Sequence, residues 1–274
     1  MSDSSFNYFL LDTFSDELFK GNPTPVCIVD VSMGSSEMAA LAKEFLAPVS
    51  VFIHLSENEN EFRIRYYTIT GEIPACGHGT LGAAYVVFEY FSSEEALCFT
   101  TIEGTQLKAT KEEKLVFIEY PKFEPVAFKL NHSIKNALGI DKSETFFYCQ
   151  ELESLFIEFK EEDTVRKMKP DFDMLLKASN EIKEVVVMSK SEFDNYDFIL
   201  RSFCPWIGIN EDPVTGSIHA VLGHYWKAKL NKDVLKAYQA SERGGLLIIK
   251  PQQNSVKIGG NSRVLIEGKM KTHN

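Results

Sequence analysis

Asp212-Pro213-Val214-Thr215-Gly216-Ser217 runs directly into Ile218-His219-Ala220-Val221-Leu222-Gly223-His224-Tyr225-Trp226. A turn of small and polar residues gives way to an apolar, helix-like stretch. Cys76-Gly77-His78-Gly79-Thr80 runs in the same way into Leu81-Gly82-Ala83-Ala84-Tyr85-Val86-Val87-Phe88. A helix N-terminus presents unpaired N–H groups and a partial positive charge. Small residues let an anion come close to that backbone. Each stretch therefore reads as a cradle for a carboxylate or phosphate, carrying one ionisable side chain, His78 in the first and Asp212 in the second.

The two stretches read as copies. Aligning Gly216 on Gly79 gives an offset of 137, half of the 274 residues. At that offset Ala220 falls on Ala83, Ser217 on Thr80 and Pro213 on Cys76, and upstream Leu200-Arg201 resembles Ile64-Arg65. The element order repeats too: strand, turn, buried helix, strand, glycine turn, strands. A helix apolar nearly all round is buried on all sides, so each half is expected to wrap a curved sheet around its own helix. The expectation is an α+β fold of two pseudo-symmetric halves, 1–122 and 123–274. Their central helices fall near 79–91 and 217–230, and the cleft between the halves binds a small anion.

Periodicity fills in the remainder. Strands are expected at Tyr8 to Asp12, Val26 to Asp30, Ser50 to His54, Phe62 to Ile69, Cys98 to Thr101, Gln106 to Thr110 and Leu115 to Tyr120. In the fourth, Phe62, Ile64 and Tyr66 face one way and Arg63 and Arg65 the other. Met38, Leu41, Ala42 and Phe45 fall at helical spacing, in a helix that Pro48 terminates. Pro121 to Pro125 reads as the boundary. Beyond it, short helices are expected after Asn131 and near Phe172 to Ser179. Strands are expected at Thr145 to Cys149, Leu155 to Phe159, Glu184 to Met188, Phe198 to Phe203, Leu246 to Ile249, Val256 to Ile258 and Arg263 to Glu267.

The formal charge of −10 argues against a nucleic-acid partner, which needs a basic patch. Cys27, Cys76, Cys98, Cys149 and Cys204 form no CxxC pair, and the polar stretch Met1 to Asn7 lacks a basic leader; both point to reduced thiols in the cytoplasm. No apolar run approaches the roughly 18 residues of a membrane span. The six histidines show no ligand spacing, so no metal is expected.

Several motifs resemble the PhzF-like family, named for the phenazine-biosynthesis isomerase. They are Asp12-Thr13-Phe14, Phe19-Lys20-Gly21-Asn22-Pro23, Ile64-Arg65-Tyr66-Tyr67-Thr68, Glu72-Ile73-Pro74-Ala75-Cys76-Gly77-His78, Glu211 to Ser217 and Arg243-Gly244-Gly245. The resemblance implies the diaminopimelate-epimerase-like fold, a homodimer and no cofactor. It also implies a proton shift within a small unsaturated carboxylate, such as trans-2,3-dihydro-3-hydroxyanthranilate. In the family a glutamate serves as base and acid, supported by residues that map to His78, Asp212 and Ser217. The glutamate's stretch, Asn-Leu-Ser-Glu-Thr, matches Leu46-Ala47-Pro48-Val49-Ser50, so the base position carries Val49. Glu44 precedes that loop beside Phe45, so loss of the family's original reaction is expected.

Asp212 and His78 are the expected proton-transfer groups. Burial against apolar walls raises a carboxyl's pKa, and an unperturbed histidine titrates near neutrality. Cys76 stands where diaminopimelate epimerase and its relatives use a thiol, and a helix N-terminus favours thiolate. The partner position is Pro213, although Cys204 is near in sequence. Thr80 and Ser217 read as helix caps at a cleft. Gly77, Gly79 and Gly216 offer N–H groups to a carboxylate, and Asn22 lines the cleft or simply turns before Pro23. Trp206, Tyr66 and Tyr67 read as packing residues, and His219 and His224 as core or surface histidines. The leading reading is a cofactor-independent isomerase or epimerase acting on a small carboxylate. Its rivals are a non-catalytic binder that has lost its base, and a thiol-dependent racemase using Cys76.

Overall fold

The computed structural model describes residues 4–30, 32–55, 61–140 and 145–272. The chain divides into two compact units, Met1–Tyr120 with Lys257–Asn274, and Pro121–Val256. The first opens with β1 (Ser4–Thr13), β2 (Asn22–Val29), α1 (Ser35–Phe45), β3 (Ser50–Leu55), β4 (Glu61–Thr68) and β5 (Gly71–Ile73). It continues with α2 (Gly77–Tyr90), β6 (Ala96–Thr100), β7 (Gln106–Glu112) and β8 (Leu115–Pro121). The second contains β9 (Val126–Ala127), α3 (His132–Leu138), β10 (Thr145–Cys149), β11 (Ser154–Phe159), α4 (Glu162–Lys167) and α5 (Phe172–Ala178). It goes on through β12 (Glu184–Lys190), β13 (Phe198–Phe203), α6 (His219–Leu230), β14 (Leu235–Gln239) and β15 (Gly245–Pro251). After β16 (Ser255–Gly260), β17 (Ser262–Thr272) pairs with β1 from Ser4↔Thr272 to Thr13↔Ser262. That pairing draws residues 257–274 into the first unit, away from the second half in which the sequence repeat placed them. The polar reading of Met1 to Asn7 lies partly outside the described residues; from Ser4 the chain is already in β1.

The repeat survives as topology. In the first unit β1 is antiparallel to β2, β2 parallel to β3, β3 antiparallel to β4, β4 parallel to β6 and β6 antiparallel to β7. In the second unit the succession β10, β11, β12, β13, β14, β15 shows the same alternation. A parallel step needs a crossover. The first crossover of each unit carries amphipathic helices on one sheet face: α1 buries Met38 and Ala42 against Cys27, Phe52 and Tyr67. In the second unit α4 and α5 fill that crossover and, with α3 from before β10, bury Ile134, Val165 and Leu175 against Leu155, Ile157 and Val187. The second crossover is α2 in one unit and α6 in the other. From His78 to Phe88 every residue of α2 except Tyr85 is buried.

One salt bridge marks the repeat residue by residue. Arg65 grips Glu72 with two bonds of 2.7 Å, Nε to Oε1 and Nη2 to Oε2. Arg201 grips Glu211 in the same way at 2.8 Å for both. Glu72 pairs in register with Tyr67, two residues beyond Arg65, and Glu211 pairs with Phe203, two residues beyond Arg201.

Helix ends depart from the sequence reading. α2 begins at Gly77 and ends at Tyr90, taking in Gly77 and His78. α6 begins at His219, because Gly216, Ser217 and Ile218 form tighter turns whose carbonyls accept the N–H groups of His219, Ala220 and Val221. α1 stops at Phe45, where Leu46 adopts a left-handed conformation at φ 53°, two residues before Pro48.

Candidate active site

In the first unit the site is assembled at the start of α2. The Gly21-Asn22 turn delivers Asn22 to it. Gly21 has φ +68°, and a Cβ there would lie 2.2 Å from the Thr13 carbonyl oxygen, so no other residue fits. The hydroxyls of Thr13 and Thr24 both donate to the Asn22 carbonyl at 3.0 Å. Asn22, fully buried, then offers its side-chain Nδ2 to His78 Nδ1 at 3.2 Å. Nδ1 accepts in that arrangement, which places the proton of the neutral ring on Nε2. Burial pulls the His78 pKa down to about 4, so the ring is a neutral imidazole at physiological pH.

Cys76 is the N-cap of α2, partly exposed, with no side-chain cap bond. Its sulfur lies 3.5 Å from His78 Nδ1 and 3.6 Å from Nε2. Near-equal distances to both nitrogens set the sulfur over the ring face, out of line with either nitrogen's lone pair. Thr80 does not cap the helix as the sequence suggested. Its hydroxyl donates back to the Cys76 carbonyl at 2.7 Å, and its N–H to the same oxygen at 2.9 Å. Tyr66 then donates to Thr80 Oγ1 at 2.6 Å. The amides of Gly77, His78 and Gly79 precede this first intrahelical bond, at the end of the helix where negative charge is favoured. Gly79 sits tight: an added Cβ would lie 2.9 Å from Val51, 3.2 Å from Tyr66 and 3.3 Å from the Cys76 sulfur. Burial raises the phenols of Tyr66 and Tyr120, with the Cys76 charge a lesser cause in each. Both stay protonated donors near the thiol, a role the sequence reading gave to neither.

In the second unit the Asp212 turn is clasped by a residue that sequence reasoning missed. Gln239 Oε1 accepts the Thr215 N–H at 2.9 Å, and Nε2 donates to the Asp212 carbonyl at 2.8 Å and to Thr215 Oγ1 at 3.2 Å. A backbone N–H only donates and a carbonyl only accepts, so the amide has one orientation. Thr215 Oγ1 receives that bond and spends its own proton on Asp212 Oδ2 at 2.6 Å. Asp212 is partly exposed. Ser241 Oγ donates to the Pro213 carbonyl at 2.7 Å and receives the Gly244 N–H at 3.1 Å. Ser217 is partly exposed in the turn before α6 and Gly216 is buried. His219 bonds the Gly216 carbonyl through Nδ1 at 3.1 Å, and burial draws its pKa down to about 4.

Cys204 is buried beside this turn. Burial raises its thiol first, and the charges of Asp212 and Glu184 add to the shift. Glu184 accepts from Ser202 at 2.5 Å and from Ser154 at 2.6 Å. Burial raises its carboxyl pKa against those two bonds. Val49 is 6 % exposed and brings no titratable group. Among the described residues no group of three or more His, Cys, Asp or Glu is placed to hold a metal ion, and no helix is long and apolar enough to cross a membrane. A surface cavity of about 320 Å³ in the first unit, lined by Glu61, Leu97, Lys108, Glu119 and Lys257 among others, holds none of the candidate residues.

Repeated units, each with a buried helix opened by a glycine turn, define the diaminopimelate-epimerase-like fold. Hydroxyproline epimerase from Agrobacterium vitis shares it at TM-score 0.57 and 11 % identity, over 98 % of this chain and 93 % of that one. The model of the phenazine biosynthesis-like protein family matches residues 11–269, and the chain belongs to that family. An uncharacterized isomerase of Halalkalibacterium halodurans is 33 % identical, covering 96 % of this chain and 97 % of its own. The human phenazine biosynthesis-like domain-containing protein is 31 % identical, over 95 % and 97 %. The crystal structure of an Enterococcus faecalis PhzF-family protein superposes at TM-score 0.89 with 36 % identity, over 97 % of this chain and 99 % of that one. Relatives in that family bear the name isomerase, and the likeness to the hydroxyproline epimerase is one of fold.

Proposed function

We propose that the protein is a cofactor-independent isomerase or epimerase that moves a proton within a small carboxylate-bearing metabolite, as a cytoplasmic homodimer. The supporting observation is that each unit sets one titratable side chain, His78 or Asp212, in the segment that opens its central helix. The amides of Gly77, His78 and Gly79 suit a substrate carboxylate. Oriented N–H groups of this kind also stabilise an enolate-like charge as it develops. Asp212, which accepts a hydrogen bond from Thr215, suits relaying or stabilising a proton beside the substrate. His78, neutral and protonated on Nε2, suits hydrogen bonding to the substrate without adding charge. Asn22, Thr80, Gly216 and Ser217 shape and bind.

The test is proton NMR in D₂O with dihydro-hydroxyanthranilate, cyclic amino acids and proline-like acids. Deuterium entering a substrate C–H faster than with Asp212→Ala supports the reading. No exchange in any member of the panel counts against it.

Val49 favours a second reading, a metabolite binder derived from the enzyme fold. A binder broadens ligand lines without exchange. It is supported further if Val49→Glu creates isomerase activity on dihydro-hydroxyanthranilate that the wild type lacks.

A further inference from the structure

The repeat in the fold locates a counterpart of Val49. Arg65 and Arg201 are equivalent by their matching grips on Glu72 and Glu211. Tyr67 and Phe203 are equivalent by their matching pairing with those glutamates. Across the neighbouring strand, Tyr67 pairs with Ser50 and Phe203 pairs with Val185. Ser50 and Val185 therefore correspond. Both follow the first crossover helix of their unit, and both lie on a strand parallel to the one before it. One residue back, Val49 in the first unit corresponds to Glu184 in the second. The first unit carries an apolar side chain at the family's base position, and the second carries a carboxyl at the same place in its own fold.

The surroundings of Glu184 suit proton transfer. Strand alternation puts Glu184, Val186, Ser202 and Leu200 on one sheet face. Val185, Val187, Ile199 and Phe203 occupy the opposite face, in the cluster beneath α3, α4 and α5. One carboxylate oxygen is held by Ser202 and the other by Ser154, both serines fully buried. Glu184 itself keeps part of its surface exposed. Ser202 also accepts the Asp212 N–H at 3.0 Å through its carbonyl, so one residue ties Glu184 to the turn that carries Asp212. The buried Cys204 thiol feels the charges of Asp212, Glu184 and Glu211, and Glu211 is paired with Arg201.

We propose that Glu184 is the general acid–base carboxyl of this chain, standing in for the glutamate that Val49 replaces. The inference rests on the isomerase reading above. In its ionised form Glu184 takes a proton from an acidic substrate C–H, and the C–H electron pair moves into the adjacent unsaturated system. The carboxylic acid, whose O–H exchanges with solvent, then gives a proton to another carbon of that system. Atoms and electrons balance without a co-reactant. Its raised pKa brings the two protonation states closer to working pH, which favours a group that both takes and gives a proton.

The experiment compares deuterium exchange into the best panel substrate for wild type, Asp212→Asn, Glu184→Gln and Glu184→Asp, with kcat/KM from pH 5 to 9. The serine hydroxyls can turn to suit an amide, and urea melts check that Glu184→Gln stays folded. Glu184→Gln is expected to lose about 10²–10⁴-fold in exchange rate and one limb of the pH profile. Glu184→Asp is expected to keep part of the rate with that limb moved. If wild type is active, Asp212→Asn is not, and Glu184→Gln keeps wild-type rate and profile, the proposal is overturned while the isomerase reading stands. No exchange by wild type removes both. If Glu184→Gln fails to fold, Glu184→Asp decides: a wild-type rate and an unmoved limb overturn the proposal.

Discussion

Asn22 Nδ2 and His78 Nδ1 meet at 3.2 Å, joining the first residue of β2 to the second residue of α2. The contact fixes which ring nitrogen carries the proton, and burial keeps the ring neutral. Replacing the amide by a carboxylate reverses the electrostatics. Asn22→Asp is expected to raise the His78 midpoint from about 4 by roughly 1–3 units, the usual effect of an adjacent opposite charge. Titration of the His78 ring by NMR reads this directly. A midpoint left near 4 would mean that the two side chains do not share this bond in solution.

Two buried histidines give stability a pH dependence of fixed sign. His78 and His219 are 6 % and 0 % exposed, and burial lowers both to about 4 from the ordinary histidine value of 6.5. The folded state therefore binds fewer protons than the unfolded chain between those values. Stability is fully present above about pH 6.5 and is lost as pH falls towards 4. Each histidine accounts for up to about 3 kcal/mol over the interval, at about 1.36 kcal/mol per unit. Urea melts between pH 4.5 and 7.5 should show the slope, and His219→Gln should remove about half of it. A flat profile would rule out both neutral histidines.

The glycine turns and apolar helix starts were legible because they depend on residues adjacent in sequence. So was the repeat, through Ile64-Arg65 and Leu200-Arg201. The pairing of β17 with β1 was not, since strand periodicity names no partner at the other end of the chain. Gln239 escaped because Leu235-Lys236-Ala237-Tyr238-Gln239 was not read as a strand. Its alternation is present: Leu235, Ala237 and Gln239 are buried, and Lys236 and Tyr238 are not. Glu184 looked like the polar start of an apolar strand, and only strand register aligns it with Val49. Ser217 lies outside α6 because tighter turns from Gly216 satisfy the entering N–H groups first.

Gln239 supports the Asp212 turn from a fully buried position. Gln239→Leu keeps the approximate volume but removes the partners of the Thr215 N–H and the Asp212 carbonyl. Leaving the buried Thr215 N–H unsatisfied costs about 1–3 kcal/mol, so the expected loss is about 1–3 kcal/mol in chemical denaturation at pH 7. A loss below about 0.5 kcal/mol would show that the clasp is not made.

Gly82, inside α2, sets helix propensity against packing. Ala gains about 1 kcal/mol over Gly in a helix interior. An added Cβ would lie 2.9 Å from Thr24 Cγ2 and 3.0 Å from Thr13 Cγ2. Those methyl groups cannot swing aside freely, because both hydroxyls hold the Asn22 carbonyl and lie 3.1 Å from each other. Overpacking costs about 1–3 kcal/mol, so Gly82→Ala is expected to be destabilising by about 1 kcal/mol in urea melts. It should also disturb the His78 titration through Asn22. A stabilised variant would mean that the strands yield more easily than their hydrogen bonds imply.

Cys76 separates the acid–base reading from the thiol reading. A thiol acts as a nucleophile or base as thiolate, which a neighbouring imidazolium or an in-line general base supplies. His78 is no imidazolium above about pH 4, its Nδ1 lone pair is directed to Asn22, and the sulfur stands over the ring at 3.5 and 3.6 Å from its nitrogens. No second thiol occupies the Pro213 position. Cys76→Ser is therefore expected to keep the deuterium exchange rate within about threefold, less than about 1 kcal/mol of transition-state stabilisation. A required thiol would instead cost about 10² or more, and iodoacetamide would abolish exchange in wild type. That pair of results would transfer the reaction from Asp212 and Glu184 to the sulfur.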